Sequence, residues 1–155
     1  MVAKIAGKPG KPLPFDRSTV GRLAFAVGFV SFPPETRGNC MGYLTTHVLD
    51  TSTGQPAKGM RIELFRLSGG RTRLADVTTN ADGRVDGPIL PEQAFETGEY
   101  ELVFHAGDYF DSIGADLPQP KFLDVIPIRF GMAADDHYHV PLLVSPFGLG
   151  TYRGS

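Results

Sequence analysis

Cysteine is nearly missing from this sequence. Cys40 is the only one in 155 residues, which excludes an intramolecular disulfide framework and any cysteine-based zinc cluster. A single thiol is compatible with a reducing compartment. An excess of charge is missing as well: 15 Lys+Arg against 17 Asp+Glu leave a formal net charge of −2, so no basic field exists to hold nucleic acid or an anionic membrane by non-specific attraction. No apolar run is long. The longest, Leu23 to Phe32, has about ten residues where a membrane-spanning helix needs roughly twenty. A phosphate-cradling loop is absent, because Gly69 and Gly70 lack both a third glycine and a following Lys-Ser/Thr. Ser155 has no Gly-x-Ser-x-Gly elbow around it and no chain-ordered acid and histidine partners, so a serine-hydrolase triad is unsupported. What remains is a chain of one-domain length whose expected ligands are small molecules or protein partners.

Residues 1–40 carry Lys4, Lys8, Lys11, Arg17 and Arg22 among prolines, with little periodicity of either kind. Such a composition buries too little surface to fold alone. The segment is expected to be a disordered extension, with Met41 as the natural start and residues 41–155 as the folded domain. Basic residues ahead of Leu23 to Phe32 match part of a secretory signal, but no small-x-small cleavage site follows before Pro33 and Pro34. A cytoplasmic location is therefore expected over export.

From Gly42 onward, short β-type runs alternate with turn residues, the spacing of an all-β sandwich. Strands are expected at Tyr43 to Leu49, Met60 to Leu67, Arg73 to Thr79, Glu99 to His105, Leu123 to Phe130 and His137 to Val144, the last of the chain. Ser68 to Gly70 would close a hairpin, and Pro127 demotes its strand towards an edge. A turn of helix is expected around Gln93 to Phe95, while residues 107–119 fit a short helix or an irregular loop equally well.

Alternation assigns faces. Leu44, Thr46 and Val48 take one side of the first strand, and Tyr43, Thr45, His47 and Leu49 the other. In the Glu99 to His105 strand, Tyr100, Leu102 and Phe104 point inward and Glu99, Glu101 and His105 outward. In the final strand Tyr138, Val140, Leu142 and Val144 make the core side, leaving His137, His139, Pro141, Leu143 and Ser145 outside. Outer faces that mix histidine with apolar residues mark association surfaces, so an oligomer with histidines near an interface is expected.

Several side chains invite chemistry. His47, beside Thr45 and Thr46, is an imidazole able to move a proton near neutral pH. His137 and His139 have the two-residue spacing that aligns both rings on one strand face, as in some zinc sites, yet no acidic or cysteine ligand stands at a recognisable spacing to complete one. Arg84 follows the turn glycine Gly83 and presents a planar fork suited to carbonyl oxygens or an anion. Tyr152, Arg153 and Ser155 put a phenol, a guanidinium and a hydroxyl almost side by side.

Four stretches in order, Leu44 to Ala57, Asp82 to Arg84, Tyr138 to Pro146 and Tyr152 to Ser155, resemble the 5-hydroxyisourate hydrolases, the transthyretin-related proteins of urate breakdown. The resemblance covers residues 41–155, and the terminal Tyr-Arg-Gly-Ser is its most specific part. It implies a transthyretin-like β-sandwich with one short helix, assembled as a homotetramer with active sites in the channel between dimers. Carried over by motif, the catalytic group is His47, Arg84, His139 and Ser155; His47, Arg84, Tyr152, Arg153 and Ser155 would bind substrate, and His137 is not carried over. The implied reaction is water attack on a purine-derived ring, opening the N1 to C6 bond of 5-hydroxyisourate to give 2-oxo-4-hydroxy-4-carboxy-5-ureidoimidazoline, with no metal and no organic cofactor. The alternative is a transthyretin-like small-molecule binding protein, but the carriers lack both the Tyr-Arg-Gly-Ser tail and the paired His47 and His139.

Overall fold

A computed structural model describes residues 42–154. The expectation of a disordered extension over residues 1–40, and the placement of Ser155, lie outside the described residues.

The chain forms β1 (Tyr43–Thr45), β2 (Val48–Asp50), β3 (Gln55–Pro56), β4 (Arg61–Arg66) and β5 (Thr72–Thr78), then a single 3₁₀ turn at Glu92–Ala94. There follow β6 (Gly98–His105), α1 (Ala106–Ser112), β7 (Val125–Met132), β8 (His137–His139), β9 (Leu142–Ser145) and β10 (Gly148–Thr151). One sheet has the order β5-β4-β6-β7, with antiparallel neighbours throughout. The other has the order β10-β9-β2-β3, and β1 pairs with β8 on the same two stretches of chain. Between them lies one core that includes Leu44, Val48, Leu64, Tyr100, Phe104 and Leu142. Expectation and structure agree on the sandwich, the 68–70 hairpin turn, the edge position of the Pro127 strand and the inward set Tyr100, Leu102, Phe104.

The differences are informative. Neither Tyr43 to Leu49 nor His137 to Val144 is one strand. β1 and β8 run parallel, with Tyr43 opposite His137 and Thr45 opposite His139, and the parallel ladder resumes between β2 and β9 with Val48 opposite Leu142. Between the two stands Pro141, which has no N–H to donate. On either side of it the Val140 and Leu142 N–H groups still donate to the Thr45 and His47 carbonyls, at 3.0 and 2.8 Å, and the Val140 carbonyl accepts from the Thr46 hydroxyl at 2.8 Å. Pro141 is buried, not on the outer face as alternation suggested. The final strand is not the last either, since β10 turns back antiparallel on β9. Its Gly148 and Gly150 hide it from any propensity-based reading.

Glu101 was expected to face outward and is instead 3% exposed. It points away from the core, but two guanidinium groups cover it: Arg71 Nε donates to Oε1 at 2.8 Å and Arg129 Nε to Oε2 at 2.7 Å. Arg71 also lies 3.4 Å over the Phe65 ring, so the ion pairs roof an aromatic side chain. Residues 107–119, left open by sequence, do contain a helix: α1 buries Tyr109 and Phe110, and the Tyr109 hydroxyl donates to Asp50 Oδ2 at 3.1 Å.

Hydrogen bonding by Arg129 holds the Glu101 carboxyl below the usual carboxylate range against its burial, with Arg71 adding to the effect. A depressed folded-state pKa stabilises the fold above the unfolded value and stops doing so as pH falls through the folded value. Glu101→Gln should lower stability by about 1–3 kcal/mol at neutral pH, the range for hydrogen bonds to charged groups. Urea unfolding across pH checks this: the gap between variant and wild type should begin to close below the unfolded glutamate pKa of about 4.3 and go on closing as the pH falls through the lower folded value.

Candidate active site

The parallel register of β1 and β8 builds the first part of the site. Odd-numbered residues of both strands share one face, so Tyr43 meets His137 and Thr45 meets His139. The Tyr43 and His137 rings stack with centroids 4.2 Å apart and planes 13° from parallel. The Thr45 hydroxyl stands between two imidazoles, 2.8 Å from His139 Nδ1 and 2.9 Å from His137 Nε2. His139 is half-buried and held at Nδ1, which leaves Nε2 for other work.

The second part arrives on a turn. Asn80 Oδ1 accepts from the backbone N–H of Asp82 at 3.0 Å and of Arg84 at 3.1 Å, folding the chain back on itself. Gly83 sits at φ +70°, and a Cβ there would collide with the Val48 carbonyl oxygen; only glycine lets this turn approach β2 so closely. The Val48 N–H donates to the Gly83 carbonyl at 2.8 Å, and Arg84 pairs with His47 in an isolated antiparallel bridge. The break between β1 and β2 thus frees His47 to pair with the turn. The Arg84 guanidinium is exposed and lines a cavity of about 360 Å³ with Tyr43, Thr45, His137 and His139.

Arg84 differs from its peers. Arg61, Arg66, Arg71, Arg73, Arg129 and Arg153 each have a carboxylate within ion-pairing distance. Among the described residues, Arg84 pairs with none. Its charge acts on the histidines instead. Burial, and then the Arg84 charge, lower the pKa of His47, with the Asp82 backbone and carboxylate pulling the other way. Burial, then Arg84, then His137 and His47 lower that of His139. Both rings are therefore neutral at neutral pH, each with a nitrogen lone pair, beside a permanent cation.

The tail forms the third part. Gly154 N–H donates to the His139 carbonyl at 2.8 Å, and its α-carbon lies so near the ring that an added Cβ would stand 2.8 Å from His139 Cδ2. Arg153 reaches Asp136 at 2.9 Å and lies 4.6 Å over the Tyr138 ring. With Tyr152, His137 and His139 these residues line an open cleft of about 770 Å³. The structure thus brings His47, Arg84 and His139 together and sets Tyr152 and Arg153 on the rim. His137, which the resemblance did not carry over, belongs to the same cluster; its two-residue spacing from His139 was the signal. Among the described residues, no three His, Cys, Asp or Glu side chains are grouped to hold a metal ion, and no helix is long and apolar enough to cross a membrane.

Residues 44–154 match the model of the HIUase/Transthyretin family. A 5-hydroxyisourate hydrolase of Rhizobium meliloti is 62% identical over 116 residues, covering 74% of this chain and 97% of its own length. Among solved structures, 5-hydroxyisourate hydrolase of Klebsiella pneumoniae superposes with a TM-score of 0.62 at 36% identity, covering 74% of this chain and 94% of that one. (S)-allantoin synthase superposes with a TM-score of 0.70 at 50% identity over 74% of this chain; the match spans 44% of the synthase chain.

Gly154→Ala should push the His139 ring off the Thr45 hydroxyl and towards water, raising its pKa towards the ordinary imidazole value of about 6.5. The check is the pH titration of the His139 ring resonances. A titration identical to wild type would show that the tail does not position this ring.

Proposed function

The chain belongs to the HIUase/Transthyretin family, and we propose from that premise that it hydrolyses 5-hydroxyisourate through His47, Arg84, His139 and the terminal Ser155. The observation that carries this reading is the pair of imidazoles, His47 and His139, beside a guanidinium that meets no carboxylate among the described residues, a charge arrangement suited to opening a cyclic amide with water. The 62% identity to a hydrolase over nearly its whole length favours catalysis over the transthyretin-like carrier alternative.

The chemistry follows from the groups. Water is a poor nucleophile at neutral pH, and His47 and His139 are the side chains in the cluster able to take its proton there. One accepts that proton as oxygen adds to the ring carbonyl. The carbonyl oxygen then carries negative charge, and the Arg84 fork stabilises it. The imidazolium so formed passes that proton on, directly or through another imidazole of the cluster, to the departing ring nitrogen, the carbon–nitrogen bond breaks, and a carboxylic acid remains. Protons balance: the one taken from water ends on the leaving nitrogen, and the rings are neutral again. No step calls on a metal or an organic cofactor.

Tyr152 and Arg153 bind substrate from the rim, and Ser155 completes the site as a hydroxyl that orients an imidazole. The contact of Gly154 with His139 supports placing the next residue there. The functional assembly is a homotetramer. Support comes from the unpaired edges β7 and β10 and from Val125, Phe147 and Leu149, exposed on or beside them, since open apolar edges are association surfaces. The protein works in the cytoplasm on a small purine-derived molecule, independently of nucleic acid or membrane, a reading supported by the balanced charge.

Decay of 5-hydroxyisourate, generated in situ from urate and followed spectroscopically, is the test. Arg84→Ala, His47→Ala and His139→Ala should each lower turnover at least about a hundredfold, the usual effect of losing an oxyanion donor or a general acid or base. The acid limb of the wild-type pH profile should lie below about 6.5, because lowered imidazole pKa values keep the base unprotonated to lower pH. Wild-type rates in any of the three would remove that residue from the mechanism.

Deleting Ser155 alone should impair the same decay by about tenfold or more, on the scale of lost orientation of a catalytic base. Normal turnover in that truncation would take the tail's hydroxyl out of the site.

A further inference from the structure

His137 is a third imidazole in the cluster, and the mechanism above gives it nothing to do. Its environment is as organised as that of His139. The ring is stacked on Tyr43, and its Nε2 meets the same hydroxyl oxygen as His139 Nδ1. The alternative acceptor for the Thr45 hydroxyl, the Tyr138 carbonyl, is 3.5 Å away, beyond the normal range for a hydroxyl donor.

A hydroxyl has one proton. If Thr45 donates to one imidazole it must accept from the other, so the two neutral rings cannot choose their tautomers independently. When Thr45 donates to His139 Nδ1, that ring carries its proton on Nε2, and His137 must donate from Nε2. When Thr45 donates to His137 Nε2, that ring carries its proton on Nδ1, and His139 must donate from Nδ1. The neutral rings therefore hold their protons on the same-named nitrogen in either state. Only the second state leaves His139 Nε2 bare.

We propose that Thr45 joins His139 to His137 as a proton relay, in which His139 is the base that deprotonates water and His137 is where that proton's charge comes to rest. Starting from the second state, His139 Nε2 takes a proton from water as the hydroxide oxygen bonds to the substrate carbonyl. His139 passes its Nδ1 proton to Thr45 Oγ1, and the original Thr45 proton moves to His137 Nε2. One proton has left water, His139 is neutral again, now with hydrogen on Nε2, and His137 is the imidazolium. The relay thereby moves positive charge off His139, whose protonation the adjacent Arg84 opposes. It also leaves His139 Nε2–H poised as a donor. Thr45 and His137 are positioning and relay residues; neither need touch substrate.

The substrate in this scheme rests on the hydrolase reading, whereas the coupling between the rings does not, and the experiment separates the two. Turnover of freshly generated 5-hydroxyisourate is measured for wild type, Thr45→Ser, Thr45→Val, His137→Phe and the Thr45→Val/His137→Phe double variant. Valine matches threonine in shape, and phenylalanine can keep the stack on Tyr43. Thr45→Val and His137→Phe should each lower kcat about tenfold to a hundredfold, a part of the general-base contribution, with KM unchanged within about twofold. Thr45→Ser should recover most of the loss, and the double variant should be no slower than the worse single one. In parallel, ring ¹⁵N spectra at about pH 8, where imidazoles are neutral, should show His137 and His139 in the same tautomer in wild type and uncoupled in Thr45→Val. A wild-type kcat in Thr45→Val, multiplying losses in the double variant, or opposite tautomers in wild type would each overturn the relay. A wild-type protein that leaves 5-hydroxyisourate untouched would overturn the hydrolase reading instead, and the spectra would still decide whether the hydroxyl couples the rings.

Discussion

Everything in the site depends on how the backbone is satisfied around Pro141. Proline brings no N–H of its own, and the buried carbonyls on either side of it must still find donors or lose free energy. Here three successive carbonyls do so by three routes. The His139 carbonyl accepts from Gly154 N–H, the Val140 carbonyl from the Thr46 hydroxyl, and the Pro141 carbonyl from the Thr151 hydroxyl, each at 2.8 Å. Two of the donors belong to the tail. The seam that separates β8 from β9 is thus also where residues 151–154 meet the chain around His139, and at the matching break in the first strand His47 pairs with Arg84.

Charge completes what the backbone begins. An exposed arginine on a surface rich in carboxylates normally finds one, as six others here do. Arg84 is held on a turn whose two nearest acidic neighbours in sequence are engaged elsewhere, Asp82 acting on His47 and Asp86 accepting from Asn80 Nδ2 at 2.8 Å. Its field disfavours protonation of both neighbouring imidazoles. An imidazole already protonated at the working pH has no lone pair to offer as a base. Partial burial and the guanidinium act in the same direction on His139, so under the proposed mechanism one group would both hold developing negative charge and keep the base unprotonated.

Much of this was legible in the sequence, for identifiable reasons. Alternation is strict wherever one face is buried, which is why Leu44, Val48, Tyr138, Val140, Leu142 and Val144 were placed on the core side and are buried there. The same alternation placed Thr45, His137 and His139 on outer faces. Pairing between distant segments carries no such local mark, so nothing in the chain announces that β1 and β8 are parallel or that Thr45 stands opposite His139. Pro141 defeated alternation because a proline breaks the strand geometry on which alternation relies. Glu101 defeated it for another reason: residues on a sheet's outer face can still be buried when long side chains from neighbouring strands close over them, as Arg71 and Arg129 do. β10 escaped because glycine has no strand preference of its own and takes the conformation that β9 offers.

A transthyretin-like sandwich does not by itself imply catalysis, since one fold serves unrelated functions and the site decides among them. What the site adds here is small and local. The core packing that builds the two sheets would survive if Thr45, His137 and His139 were replaced by other half-exposed strand residues, because none of them belongs to the core cluster. The side chains that matter sit where the sheet is least regular, beside an interrupted ladder, on a glycine turn and against a returning tail. Irregular backbone is where side chains can be aimed at one another across strands instead of lying parallel on a pleat. The regular sheets supply rigidity on either side of that irregular seam, and rigidity is what keeps a hydroxyl within hydrogen-bonding distance of two imidazoles at once.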